Sequence, residues 1–338
     1  MKFVVTGGGT GGHLVIALSL LEALGKRGHQ AVFIGSISGQ DQQWFASGSD
    51  FEETHFMNTS GVVNKKGFKK LQALWQIFVA FLNARSLMKR YEADAVISVG
   101  GFSAAPASFA ALSLRKPLFI HEQNAVEGRL NRMLKPYAKA FFSSYDTASP
   151  LKAYPVSPAL FKLAHVRQQI KTVIFLGGSQ GAHFLNELAK RLIPELHKRG
   201  IHVIHQCGEH DFEQLKAFYE KEQYPVELYR FTKELPSLMN RSDFAFSRAG
   251  ASTLWELCAV ALPAFYIPYP YAAGDHQYYN AEFIVQKSLG WCQREAEIND
   301  TTLLALMDEN LEEKSQGLMA LSEENGAEKI IKMIEEMV

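Results

Sequence analysis

The plan of KFVVTGGGTGGHLVIALSLLEALGKRG, residues 2–28, occurs twice in the chain, and that recurrence decides the fold. Lys2 to Val5 is a short apolar run, GGGTGGH from Gly7 to His13 a glycine loop, and an apolar helical stretch runs to Leu24 before Lys26-Arg27-Gly28 stops it. From Lys171 the order returns: apolar Val173 to Leu176, GGSQGA from Gly177 to Ala182, a helical stretch, then Lys198-Arg199-Gly200. A further short strand follows each copy, at 31–34 and 201–205. Strand, glycine loop, helix and strand open a nucleotide-binding α/β unit. Two such openings half a chain apart predict two Rossmann-like domains. Ligands of open parallel sheets bind beyond the carboxyl ends of the strands, so two facing sheets would set two glycine-lined mouths across one cleft. That is a layout for joining two substrates.

The 338 residues suffice for two such domains, and 47% apolar with 21% charged residues is the balance of a globular chain. A formal net charge of zero gives no global pull toward nucleic acid. Cys207, Cys258 and Cys292 are widely spaced without a CxxC pair, which suits a reduced cytoplasm. The chain starts directly on strand and glycine loop, so no secretory signal is expected, and no apolar run reaches the roughly 18–20 residues of a membrane span.

Along the first half, Ala95 to Val99 reads as a strand, followed by Gly100-Gly101-Phe102-Ser103, where Ser103 would cap a helix with Pro106 in its first turn. Leu118 to His121 is the next strand, running into His121-Glu122-Gln123-Asn124. Pro150, Pro155 and Pro158 mark a linker, which divides the chain into a first domain at 1–152 and a second domain at 153–325. In the second, Phe244 to Ser247 is a strand, Arg248-Ala249-Gly250-Ala251 a turn, 252–261 a helix and Ala264 to Ile267 a strand. The tail, 326–338, is an amphipathic helix with Ile330, Ile331, Ile334 and Met337 on one face; it could pack on either domain, the first included.

A glycine loop that feeds a helix exposes backbone N–H groups beside the positive end of the helix dipole, which favours phosphate. Three of them, at Gly7, Gly100 and Gly177, point to phosphate-rich chemistry. Gly7, Gly9 and Gly12 also satisfy GxGxxG, but a dinucleotide site wants an acid at the end of the second strand; that strand ends Ile34-Gly35-Ser36, and the nearest acid is Asp41 in a polar loop. Gly177, Ser179 and Gly181 satisfy GxSxG, and Asp243 and His276 follow in the order of an α/β-hydrolase triad, so a hydrolase stays open as an alternative. There is no DxD pair and no HExxH, so no metal site is expected.

Between Thr54 and Tyr91 there is no Asp or Glu, while Lys65, Lys66, Lys69, Lys70, Arg85, Lys89 and Arg90 supply seven positive charges. Leu71, Leu74, Trp75, Phe78, Phe81 and Leu82 recur among them at helical spacing. The pattern fits a buried helix face with solvated lysines, or a patch (Lys65, Lys66, Lys69, Lys70, Trp75, Phe78) for an anionic membrane surface. Nucleic acid is disfavoured, because the chain as a whole is neutral.

Taken in order, GGGTGGH, GGFSA, HEQNA (121–125), FLGGSQGA (175–182), SRAGASTLWE (247–256), and IPYP followed by HQYYNA (276–281) resemble the MurG family of peptidoglycan glycosyltransferases over nearly the whole chain. The resemblance implies a GT-B fold and inverting transfer of N-acetylglucosamine from UDP-N-acetylglucosamine to the 4-hydroxyl of MurNAc in lipid I, without cofactor, at the cytoplasmic face of the inner membrane. It implies a diphosphate site at Ser179, Gln180, Gly181, Ala251, Ser252 and Thr253, ribose contacts at Glu256, and uracil near Thr232. Sugar hydroxyls would meet His276, Gln277 and Asn280, although the family often has Gln at the first of these. On the acceptor side it implies Thr10, Gly11, Gly12 and His13, with Asn124 reaching one of the sugars. His13 is the first candidate base and Glu122 the second. One departure stands out: where the family commonly has Pro-Val-Arg, this chain has Pro155-Val156-Ser157, so that arginine's donor contact does not transfer. The nearest alternative is another GT-B transferase with a lipid or macrolide acceptor.

Overall fold

The computed structural model describes residues 1–45, 53–61, 66–178 and 181–338. They form two compact units, one of Met1–Val156 with Asn325–Val338, the other of Ser157–Glu324. The break lies within the Pro150–Pro158 cluster.

In the first unit, β1 (Lys2–Thr6), α1 (Gly11–Lys26), β2 (Gln30–Ser36), α2 (Asp41–Phe45), β3 (Glu53–Met57), α3 (Gly67–Tyr91), β4 (Ala95–Ser98), α4 (Ala105–Ser113), β5 (Leu118–Glu122), α5 (Arg129–Leu134) and β6 (Ala140–Ser143) build a six-stranded sheet. Its order is β3-β2-β1-β4-β5-β6 and its pairings are parallel. Strands covered on both faces read as continuous apolar runs, as Val4, Val32, Ile34, Val96 and Ile120 do here, packed against the alanines of α3 and α4. The helix after Gly101 opens at Ala105 with Ala104 at its cap position; Ser103 is buried within a 3₁₀ turn, its hydroxyl without a partner, so it does not cap.

The second unit repeats the plan with α6 (Pro158–Phe161), β7 (Thr172–Leu176), α7 (His183–Lys198), β8 (His202–Gln206), α8 (Phe212–Lys221), β9 (Val226–Tyr229), α9 (Leu235–Asn240), β10 (Phe244–Ser247), α10 (Ala251–Ala259), β11 (Ala264–Tyr266), α11 (His276–Val285), β12 (Trp291–Cys292), α12 (Asp300–Ala305) and α13 (Glu312–Leu321). Its parallel sheet, β12-β11-β10-β7-β8-β9, has the first sheet's order read from the other edge. Phe175 and Phe246 stack at 4.9 Å at its centre. Arg167 is buried among helix ends, where its guanidinium donates to the carbonyls of His165 (2.9 Å), Met239 and Ser242 (both 3.2 Å) and Val260. The Met239, Ser242 and Val260 carbonyls lie at the negative ends of α9 and α10, which a cation suits; burial nonetheless pushes the guanidinium down to about 10.

α14 (Gly326–Glu335) returns to the first unit and lies along α1 with Ile330, Ile331 and Ile334 buried. Glu335 is gripped there by Arg27 (2.5 Å) and His29 (2.5 Å), which hold its carboxyl down to about 2. Among the described residues no helix is long and apolar enough to cross a membrane.

Candidate active site

Each sheet reverses its strand order once, between β1 and β4 in the first unit and between β7 and β10 in the second. Open α/β sheets bind ligands beyond the strand ends at this reversal. The glycine loops follow those four strands.

In the second unit, the Gly177 amide donates to Gln206 O (3.0 Å), and Gly178 and Gly181 adopt φ of +77° and +81°. A Cβ on Gly181 would strike the Cys207 carbonyl, so the turn needs glycine there. Ser179 and Gln180 lie outside the described residues. Beneath the loop, Gln206 Nε2 donates to Gly178 O (2.8 Å) and Arg230 O (3.1 Å), and Asn186 Nδ2 to Cys207 O (3.1 Å) and Asp211 (2.7 Å). His205 joins Asn186 Oδ1 (3.0 Å) to Tyr219 OH (2.9 Å); burial pushes it down to about 3, so the ring is neutral. Sequence reasoning missed Asn186, His205 and Gln206. The available signal was a polar pair ending an otherwise apolar strand.

After β10, Gly250 caps α10 and the first intrahelical bond runs from Leu254 N to Gly250 O, which sets the amides of residues 251–253 at the open, positive end of the helix. Ala251 is buried, and Ser252 and Thr253 are half-buried; none of the first-turn residues is acidic. Asn280 is fully buried and its Nδ2 donates to Ala249 O (3.1 Å), holding the turn from behind. Gln277 Oε1 accepts from Tyr269 N (2.9 Å) and Thr232 Oγ1 from Glu234 N (2.9 Å). His276 Nδ1 faces the Ala273 carbonyl at 2.9 Å; a carbonyl only accepts, so that nitrogen carries the proton and a neutral ring presents Nε2 as a lone pair. Glu256 is half-buried as a residue, yet burial of its carboxyl alone pushes it up to about 7. Arg248, also unforeseen as a functional residue, clamps the loop after β11 through Ile267 O (3.0 Å) and Pro268 O (3.2 Å) and ties it to Glu295 after β12 (2.6 Å).

The first unit's mouth uses glycine differently. The loops after β1 and β4 lean together: Gly8 N donates to Gly100 O (3.2 Å), a Cβ on Gly101 would strike Gly8 O, and one on Gly9 would come within 2.6 Å of the Phe102 ring. These glycines serve close backbone approach. Asp41, which the sequence placed in a polar loop, is wholly buried and accepts from Gly9 N (2.5 Å) and Ser36 N (2.8 Å). Gly11 and Gly12 open α1, where Thr10 Oγ1 lies 2.9 Å from His13 Nδ1 at an exposed position. Burial, and secondarily the charge of nearby His13, push His121 down to about 3. Glu122 is buried and accepts from Asn124 N (3.0 Å), Gly128 N (2.8 Å) and Asn131 Nδ2 (2.9 Å). Its oxygens order the loop that carries half-buried Asn124.

On α3 the small residues Ala73, Ala80 and Ala84 face inward with Leu87 and Met88, whereas Phe68, Leu71, Leu74, Trp75, Phe78 and Leu82 are exposed, Phe68 by 81% and Trp75 by 65%. Lys66, Lys69 and Lys70 are exposed at its start; Lys65 lies outside the described residues. Phe81 is half-buried against the core, and the rest of the stripe is not the buried face.

The hydrolase alternative fails on the sheet. Asp243 accepts from Lys171 N (2.9 Å) and Thr172 N (2.8 Å) at the amino edge of β7, a full strand of about 15 Å from the Gly177 loop at the other edge. A triad needs its members in hydrogen-bond succession.

The model of the glycosyltransferase family 28 N-terminal domain matches residues 3–143, and that of the glycosyltransferase family 28 C-terminal domain matches residues 172–337. A UDP-N-acetylglucosamine–N-acetylmuramyl-(pentapeptide) pyrophosphoryl-undecaprenol N-acetylglucosamine transferase of Sulfurimonas denitrificans is 56% identical, covering 98% of this chain and 97% of its own. The chain belongs to the MurG family of glycosyltransferases. Its Wolinella succinogenes relative of the same description is 50% identical over 99% of both chains. A crystal structure of Acinetobacter baumannii MurG matches with a TM-score of 0.82 at 25% identity, covering 99% of each chain, and the fold is accordingly GT-B. Streptomyces SsfS6, solved with thymidine diphosphate, shares the fold alone (TM-score 0.69, 13% identity, 99% of each chain).

Proposed function

We infer that the chain transfers N-acetylglucosamine from UDP-N-acetylglucosamine to the 4-hydroxyl of MurNAc in lipid I, inverting the anomeric carbon and forming lipid II. The observation that carries this reading is 56% identity, over nearly the full length, to a relative of that activity. The second unit takes the donor. Its diphosphate lies at the open end of α10, where the amides of 251–253 and the hydroxyls of Ser252 and Thr253 meet the charge that grows as UDP leaves, with Ser179, Gln180 and Gly181 from the other loop. Glu256 accepts the ribose hydroxyls, uracil lies near Thr232, and His276 and Gln277 face the sugar; Asn280 supports the turn from beneath.

The first unit activates the acceptor. His13 is the base: if its Nδ1–H donates to Thr10 Oγ1, Nε2 keeps a lone pair for the attacking hydroxyl's proton. Glu122 is the poorer candidate, because its carboxylate already accepts three N–H bonds. Gly11 and Gly12 let the acceptor approach, and Asn124 reaches a sugar hydroxyl. The enzyme works on the cytoplasmic face of the inner membrane, docked peripherally by the exposed stripe of α3 and its lysines on anionic lipid.

UDP release from UDP-N-acetylglucosamine, measured with and without a lipid I analogue, tests the assignment. Release should require the analogue; equal release without it, or with a macrolide in its place, refutes the reading.

A further inference from the structure

The first glycine loop holds an anion of the protein's own. We propose that Asp41 is a positioning residue for the transfer, fixing through the Gly9 amide the loop that aims Thr10 and His13; this rests on the reading of His13 as base. Asp41 lies 32 residues from Gly9 in sequence and comes from α2, a different element, yet its carboxylate is wholly buried with Oδ1 on Gly9 N at 2.5 Å and Oδ2 on Ser36 N at 2.8 Å. The cradle is shaped for it. A Cβ on Gly8 would stand 2.6 Å from Oδ1, and one on Gly35 would stand 3.0 Å from Oδ2. One carboxylate thus ties the end of β2 to the loop after β1, and the residue after Gly9 is Thr10, whose hydroxyl sits 2.9 Å from His13 Nδ1.

The consequence is directional. Gly9 has φ of +89° and a glycine loop has many conformations of similar energy, so something must select one. A charge-assisted bond to its amide does so, and the α1 helix start inherits the choice: Thr10 is its cap, and His13 N and Leu14 N both donate to Thr10 O (3.1 and 3.3 Å). Both contacts of Asp41 are N–H donors. Asparagine can satisfy only one of them and turns an NH₂ against the other, so Asp41→Asn is not a mild change.

The test is a double-mutant cycle with Asp41→Asn and His13→Gln, read as kcat with a lipid I analogue per UDP-binding site. His13→Gln should lower kcat by about 10²–10⁴-fold. Asp41→Asn should lower it about 10–100-fold, with the KM for UDP-N-acetylglucosamine within about twofold, and should shift the acid limb of the pH–rate profile. In the His13→Gln background the same change should lower kcat less than about threefold, because the base it aims is gone. A purely structural role would reduce the number of UDP-binding sites while leaving kcat per site and the pH profile as in the parent. If His13→Gln is impaired and Asp41→Asn is not, this inference falls and the His13 reading stands; if His13→Gln keeps full kcat, the His13 reading falls. Should Asp41→Asn not fold, hydrogen exchange on the parent enzyme decides, since the Gly9 amide should exchange at least about 100-fold slower than in an unstructured peptide. Exchange at the peptide rate overturns the proposal.

Discussion

With Glu256 accepting the ribose hydroxyls as proposed, donor binding should weaken as pH falls through 7, because the carboxyl must be ionised to accept them while burial pushes it up to about 7. The apparent dissociation constant rises by a factor of 1 + 10^(pKa − pH), which is about 1.1 at pH 8, about 11 at pH 6 and about 100 at pH 5. UDP-N-acetylglucosamine suits the titration, since its diphosphate is esterified at both ends and keeps its charge across this range. Calorimetry in buffers of different ionisation enthalpy should show about 0.9 proton released per donor bound at pH 6 and about 0.1 at pH 8. The same shift has a folding consequence of opposite sense. A carboxyl whose folded pKa lies above its unfolded value binds more protons when folded, so this group's contribution to stability falls as pH rises from about 4.5 to 7, by roughly 3 kcal/mol. Glu256→Gln should therefore be more stable than the parent above pH 7, indistinguishable near pH 4, and should bind the donor about 10–100-fold more weakly at pH 8 with no slope in pH. A parent affinity that is flat from pH 8 to 6, or a glutamine variant less stable at pH 8, would refute the argument.

Replacing Lys66, Lys69 and Lys70 by glutamine removes about 1 kcal/mol of surface attraction each, so binding to phosphatidylserine vesicles should weaken about 100-fold at physiological salt. Flotation assays that show no dependence on salt or on anionic lipid would count against docking by α3. Arg167→Met leaves the carbonyls of His165, Met239, Ser242 and Val260 without their donor and should lower unfolding free energy in urea by about 3–5 kcal/mol; a loss below about 1 kcal/mol would show that water replaces it.

The doubled architecture was legible because its signals are local. Each half announces a strand by an apolar run, a turn by glycine and a helix by periodicity, and the parallel order of six strands follows once the openings are recognised. The α3 face was legible only in part. Its aromatic residues and its alanines both recur at helical spacing, and periodicity does not say which set turns inward; packing against α4 selects the alanines, which let the two helices approach. Ser103 looked like a cap for the reason most serines before helices do, but a 3₁₀ turn intervenes and buries it. Asp41 was illegible in another way: its bond to the Gly9 amide spans 32 residues and is made by the tertiary fold, and no spacing rule encodes that, whereas Glu122 bonds within its own loop and the start of α5.

The glycine loops carry the same lesson into function. Gly7–Gly12 and Gly177–Gly181 look alike in sequence, yet in the first the Gly9 amide is bound by the Asp41 carboxylate, while in the second Gly177 N donates to Gln206 O and Gly181 N to Gly178 O. One loop is tied by a charged side chain and the other by backbone carbonyls. A site that must release a diphosphate gains from donors already aimed at the charge that develops. A site that must take a proton from a hydroxyl gains nothing from a further donor and needs instead a lone pair held at a fixed angle, which a loop pinned by its own carboxylate can hold. On the proposed reading, division of labour between the two halves lies in what ties each loop, a buried carboxylate in the first and backbone carbonyls in the second, not in the glycines themselves.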